Sequence, residues 1–104
     1  MSDVIELLTE VFETDEVGNE TSVTTPKQVY ADVTSVSRAE FFSAGEAGLK
    51  PAFVFKIFFG DYDGQRLVSY KGRQYQVYRT YIDMADELTE LYTEERVGEE
   101  GTGN

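Results

Sequence analysis

Apolar and polar residues alternate along most of this chain, with the two-residue period of a strand rather than the 3.6-residue period of a helix. In Gln28–Val36, Val29, Ala31, Val33 and Ser35 fall on one face and Tyr30, Asp32 and Thr34 on the other, the pattern of a half-buried antiparallel strand. Phe53–Phe59 and Arg66–Tyr70 read as strands too. So does Tyr75–Tyr81, a β-branched and aromatic run without a helical stripe. Lys71-Gly72 joins the last two as a hairpin, because the glycine accepts positive φ. After Phe59, Gly60-Asp-Tyr-Asp-Gly64 favours a tight turn with left-handed positions. The pattern therefore predicts a three-strand meander over residues 52–82.

Upstream, Val4–Phe12 reads as a strand, followed by a turn at Asp15–Asn19 and a partner strand Thr21–Thr25. A helix over residues 3–13 competes, since Val4, Leu7, Leu8 and Val11 have helical spacing. The Thr9, Val11, Phe12, Thr14 cluster and the need of Thr21–Thr25 for a partner favour the strand. Pro26, which has no N–H for a ladder, is expected to end that run before Gln28–Val36 begins. At Ser37 the alternation breaks. A serine with Glu40 three residues on is a capping-box signature, and it predicts a short helix stopped by Gly45 or Gly48. Leu49-Lys50-Pro51 then returns the chain to extended conformation. Near the end, a helical turn at residues 82–86 and a strand over Thr89–Arg96 are expected, the strand closing edges that the others leave open. The result is an all-β fold, a small antiparallel β-barrel of about six to seven strands with one short helix or mobile loop at residues 37–48. One domain spans residues 1–98, and 99–104 is a disordered acidic tail without an apolar residue.

The 104 residues contain no Cys and no His, which removes disulfides, thiolate nucleophiles and zinc sites of the usual kind. No window is apolar enough for a membrane span and the N-terminus lacks a secretion signal, so the expected setting is a cytoplasm, with no membrane partner. The formal net charge of −11 opposes tight binding to phosphates, although proximity to DNA without affinity is compatible with it. Acids crowd the C-terminal fifth, and most basic residues fall between Lys50 and Arg79. That polarity suits head-to-tail packing of identical subunits as well as a plain solvated tail.

No catalytic constellation, metal site or cofactor motif emerges. Asp61 with Asp63, and Asp83 with Asp86, sit at turns where aspartate bonds its own backbone. There is no phosphate loop, dinucleotide fingerprint or nucleophile elbow. Seven Tyr and seven Phe fill a small core and pair across strands. Phe41, Phe42, Tyr78 and Tyr81 exceed what one core holds, and read as interface residues.

Ser37-Arg-Ala-Glu-Phe-Phe-x-Ala-Gly-x-Ala-Gly-Leu-Lys-Pro51, then Asp61-Tyr-x-Gly64, Tyr70-x-Gly72, Val77-Tyr-Arg-Thr-Tyr81, Glu90-Leu-Tyr92 and Glu95-Arg96, resembles the head closure or head–tail joining proteins of long-tailed bacteriophages. The likeness spans about residues 5–98 and rests on the order and spacing of these pieces. It implies a non-enzymatic virion protein at the head–tail interface. Such proteins are β-barrels that assemble as a ring beneath the portal and its adaptor, seal the DNA-filled capsid, and offer a surface to the tail terminator or tail tube. By position, it implies a channel or gating segment comprising Ser37, Arg38, Glu40, Phe41, Phe42, Gly45, Glu46, Gly48 and Lys50. Subunit contacts are expected at Tyr78, Arg79, Tyr81, Tyr92 and Arg96.

Two rivals come from other classes. An acidic DNA-mimic inhibitor fits charge and size, but the centre of the chain is nearly balanced. A single-strand nucleic-acid-binding barrel fits the aromatics as stacking platforms, with Arg66, Arg73 and Arg79 lining the face.

Overall fold

The computed structural model describes residues 2–96, so the acidic tail expected at 99–104 lies outside the described residues. Six strands and one helix follow in the order β1 (Asp3–Thr14), β2 (Glu20–Ser35), α1 (Arg38–Glu46), β3 (Pro51–Phe58), β4 (Leu67–Tyr70), β5 (Arg73–Asp83) and β6 (Leu88–Glu95). Every pairing is antiparallel. The sheet closes on itself in the order β1-β2-β3-β6-β5-β4, with β4 returning to β1. Each strand sends alternate side chains inward: Ile5 and Leu7 from β1, Ala31 from β2, Phe55 and Ile57 from β3, Val68 from β4, Val77 from β5, Leu91 from β6. Burial of each of these side chains other than Ala31 stabilises the fold by roughly 1.5–3 kcal/mol. At the centre, the rings of Phe53, Phe55, Tyr70 and Tyr75 pack with centroids 5.4–6.4 Å apart, half of the pairs edge to face and half tilted.

The expected meander over residues 52–82 is corrected in one respect. β4 and β5 form the hairpin, with Lys71 and Gly72 both at positive φ (51° and 80°), as a two-residue turn of the primed type needs. β3 does not join them; it pairs with β2 on one side and β6 on the other. The intervening residues are too many and too bent for a tight hairpin. They make a single 3-10 turn at Phe59–Asp61, and the N–H of Phe59 donates to the carbonyl of Glu87 at 2.9 Å, beside β6. Tyr62 then packs on the core as the chain crosses to the other side of the barrel.

Two boundaries are corrected as well. β2 runs unbroken through Pro26, which lies opposite Leu8 of β1. Up to residue 31, β2 has a strand on one side only, so the N–H that proline lacks is one an edge strand can spare. The expected helical turn at 82–86 is replaced by Ile82 and Asp83 continuing β5, then a turn in which Glu87 takes φ 58°.

β1 and β2 pair in unbroken register from Asp3 opposite Ala31 to Thr14 opposite Glu20. Yet β4 meets β1 only over Glu6–Leu8, and β3 meets β2 only over Asp32–Ser35. The remainder is a two-stranded arm in which every residue from 9 to 26 is exposed. Its six outer residue pairs reach roughly 20 Å past the barrel. The principal extents of 49 × 31 × 22 Å reflect this length. At the tip, a carboxylate oxygen of Asp15 accepts from the N–H groups of Val17 (3.0 Å) and Asn19 (2.8 Å), which fixes the turn.

Candidate functional site

α1 begins where the sequence places it. The Ser37 hydroxyl accepts the N–H of Glu40 at 3.1 Å, and Glu40 lies in the first turn, where the helix dipole favours a negative charge. The helix ends in a Schellman arrangement: Gly48 N–H bonds the Gly45 carbonyl, and Leu49 N–H bonds the Ala44 carbonyl, each at 3.0 Å. Gly48 sits at φ +85°, in the left-handed region. Gly48→Ala, which meets no atom within 4 Å, is therefore expected to cost about 1 kcal/mol through backbone strain alone, measurable by urea denaturation.

The Glu40 side chain does not complete the capping box. It reaches instead to the outer face of the barrel, where its carboxylate accepts from the Tyr78 hydroxyl at 2.6 Å and from Arg79 Nη2 and Nε at 2.6 and 3.2 Å. This bidentate pair is only partly solvated, with Glu40 14% exposed and Arg79 44% exposed. The Arg79 guanidinium lies 3.7 Å from the centroid of the Tyr92 ring, and the Tyr92 hydroxyl donates to a Glu90 carboxylate oxygen at 2.8 Å. Hydrogen bonding from Arg79, aided by Tyr78 and opposed by partial burial, holds the Glu40 carboxyl below its ordinary range. Partial burial and the Glu40 carboxylate push the Tyr78 phenol well above its own.

Two neighbours in one strand, Tyr78 and Arg79, reach the same carboxylate because β5 carries a bulge there. Val77 is opposite Thr93 and Arg79 opposite Tyr92, which leaves Tyr78 as the extra residue. Sequence reasoning misses this bulge, since no glycine or proline marks it. It also misses Glu90 as the partner of Tyr92.

The expected gating and interface groups are thus partly one cluster: Glu40 from the first set is tied to Tyr78, Arg79 and Tyr92 from the second. Phe41 and Phe42 extend from α1 into solvent, 49% and 63% exposed, with their rings edge to face at 6.0 Å. Arg38, Gly45, Glu46 and Lys50 are exposed on or beside the helix, and the Lys50 N–H bonds a Glu94 carboxylate oxygen at 3.2 Å. Tyr81 stands exposed farther along β5, and Arg96 follows β6 with its N–H on the Gln74 carbonyl. Of the arginines suggested for a nucleic-acid face, Arg73 pairs with Glu95 and Arg79 with Glu40. Such pairing spends their charge within the molecule.

Among the described residues, no group of three or more His, Cys, Asp or Glu side chains is placed to hold a metal ion, and no helix is long and apolar enough to cross a membrane. The arrangement offers a helix fastened by one charged contact and carrying two bare phenylalanines. A family model described as phage head completion protein matches residues 1–96. A comparison with curated proteins found no match.

Proposed function

The chain belongs to the phage head completion protein family, and from that premise we propose that it closes the head as a ring beneath the portal and its adaptor, seals the packaged DNA and receives the tail terminator or tube. A structural role in head closure, in the virion, is what the family itself supports. Ring, seal and tail docking are the finer reading.

The observation that best supports a sealing role is α1. It interrupts the strands, docks on the barrel through the Glu40–Arg79 contact, and leaves Phe41 and Phe42 solvent-exposed side by side. Exposed neighbouring aromatics on a helix with one buried residue, Ala44, suit a segment that exchanges one packing partner for another. Residues 37–50 are the gating element in this reading, and Tyr78, Arg79 and Tyr92 hold it. A ring with surplus negative charge does not grip the phosphates of DNA passing through it. Assembly takes place in the host cytoplasm.

Phe41→Ser with Phe42→Ser tests the seal. Both side chains are exposed, so the melting temperature is expected to stay within a few degrees of the parent. Particles carrying the pair are expected to lose packaged DNA or fail to join tails, measured as nuclease-accessible DNA and infectious titre. Normal retention and normal titre would remove the gating role.

A further inference from the structure

Among the described residues, the strand edges left without a partner include one stretch of β5 and one of β1, and these two are complementary. The N–H of Val77 donates to the Arg66 carbonyl at 2.8 Å, beyond the last β4–β5 residue pair, Leu67 opposite Gln76. From Arg79 to Asp83, β5 pairs with β6 alone, so its other edge is open. That edge borders a groove lined by Tyr62, Gly64, Arg66, Tyr78 and Thr80. Among the described residues, Arg66 has no carboxylate partner. The second open edge is that of β1 in the arm, Thr9–Thr14, beyond its short contact with β4.

We infer that the arm of one copy of this chain lies along the open β5 edge of a second copy, adding a strand there, with arm carboxylates facing Arg66. This rests on the ring proposed above and supplies its contact. Charge selects the occupant: the arm holds Glu10, Glu13, Asp15, Glu16 and Glu20, and the first Lys or Arg in the chain is Lys27. A bare two-stranded ribbon is marginally stable in water, and an open edge is a template for another strand. Val11 and Phe12, 44% and 67% exposed, lose water on docking. The arm does not fill the groove of its own chain. Residues Gly64 and Arg66 lie between the two, lining the β1 side of the arm base in one direction and the β5 groove in the other. The contact joins two different surfaces, so it repeats from copy to copy and closes into a ring where the rotation permits.

The chain has no cysteine, so placed pairs report cleanly. Particles assembled from Val11→Cys/Thr80→Cys protein are treated with a short bismaleimide. A ladder of covalent oligomers is expected, about tenfold above either single variant, because the ring raises the local concentration of the pair. Should that variant fail to assemble, Glu13→Cys/Tyr81→Cys probes the same contact. Glutaraldehyde on parent particles tests the ring itself. A glutaraldehyde ladder without a bismaleimide ladder overturns the arm contact and keeps the ring, whereas the absence of both overturns the two together. Linkage of Val11→Cys to a different virion protein overturns the assignment of the occupant.

Discussion

Phe55→Ala is expected to destabilise the protein by about 3–5 kcal/mol, the range for removing a fully buried phenylalanine. Phe55 has 0% exposure, and its ring meets those of Phe53, Tyr70 and Tyr75 at 6.0, 5.4 and 5.8 Å. Those neighbours come from three strands, β3, β4 and β5, so the cavity left behind faces side chains that no single backbone shift brings together. Domains of this size are stable by roughly 5–15 kcal/mol in all. The loss therefore amounts to a large share of the fold, and the melting temperature is expected to fall by roughly 15–30 °C. Thermal unfolding followed by circular dichroism measures it. Phe42→Ala is the control, since that ring is 63% exposed, and it is expected to change stability by no more than about 0.5 kcal/mol. Equal effects at the two positions would contradict the placement of the core.

Glu40→Ala has the second largest expected effect, about 1–3 kcal/mol, because it strips one carboxylate from a guanidinium and a phenol at once. The figure sits below that of a fully buried pair because solvent reaches Arg79 and screens its charge. This contribution depends on pH in a definite direction. The carboxyl titrates lower in the folded chain than in the unfolded one. Its stabilisation is thus complete above the unfolded carboxylate value of about 4.3 and is lost as pH falls through the folded value. Glu40→Gln keeps the shape and removes the titration. The stability gap between parent and Glu40→Gln is expected to be constant from pH 7 to about pH 5 and to close in more acid solution. A gap that persists unchanged at pH 2 would assign the effect to packing rather than charge. Proteolysis between residues 38 and 50 at neutral pH should quicken in the same variant, since the helix loses its attachment to β5.

Much of the local structure was legible because it depends on near neighbours. Alternation placed the strands, Lys71-Gly72 placed the hairpin turn, and Ser37 with Glu40 placed the start of α1. What escaped depends on residues distant in the chain. Whether Phe53–Phe58 pairs with β4 or with β6 is decided by which partner lets both faces of the barrel close, and nothing in those residues states it. Pro26 misled for a related reason: a proline forbids a central strand position but not an edge, and edge status is a property of the finished sheet. Glu40 was legible as a cap residue, yet its side chain serves Arg79 and Tyr78. A carboxylate's partner is fixed by the surface on which the helix lands.

The extra residue in β5 has one more consequence. Before Tyr78 the odd-numbered residues Tyr75 and Val77 face the interior; after it, Arg79 lies opposite outward-facing Tyr92, and Thr80 opposite inward-facing Leu91. The strand thus changes phase at a single point, as a reading frame does at an insertion. Loss of Tyr78 would let Arg79 follow Val77 in plain alternation, opposite Tyr92 and still outward, so the Glu40–Arg79 contact would stay while the second donor, the Tyr78 hydroxyl, would be gone. The inserted residue therefore serves the outer face alone: it sets a second donor beside Arg79 and leaves the inward positions on either side undisturbed.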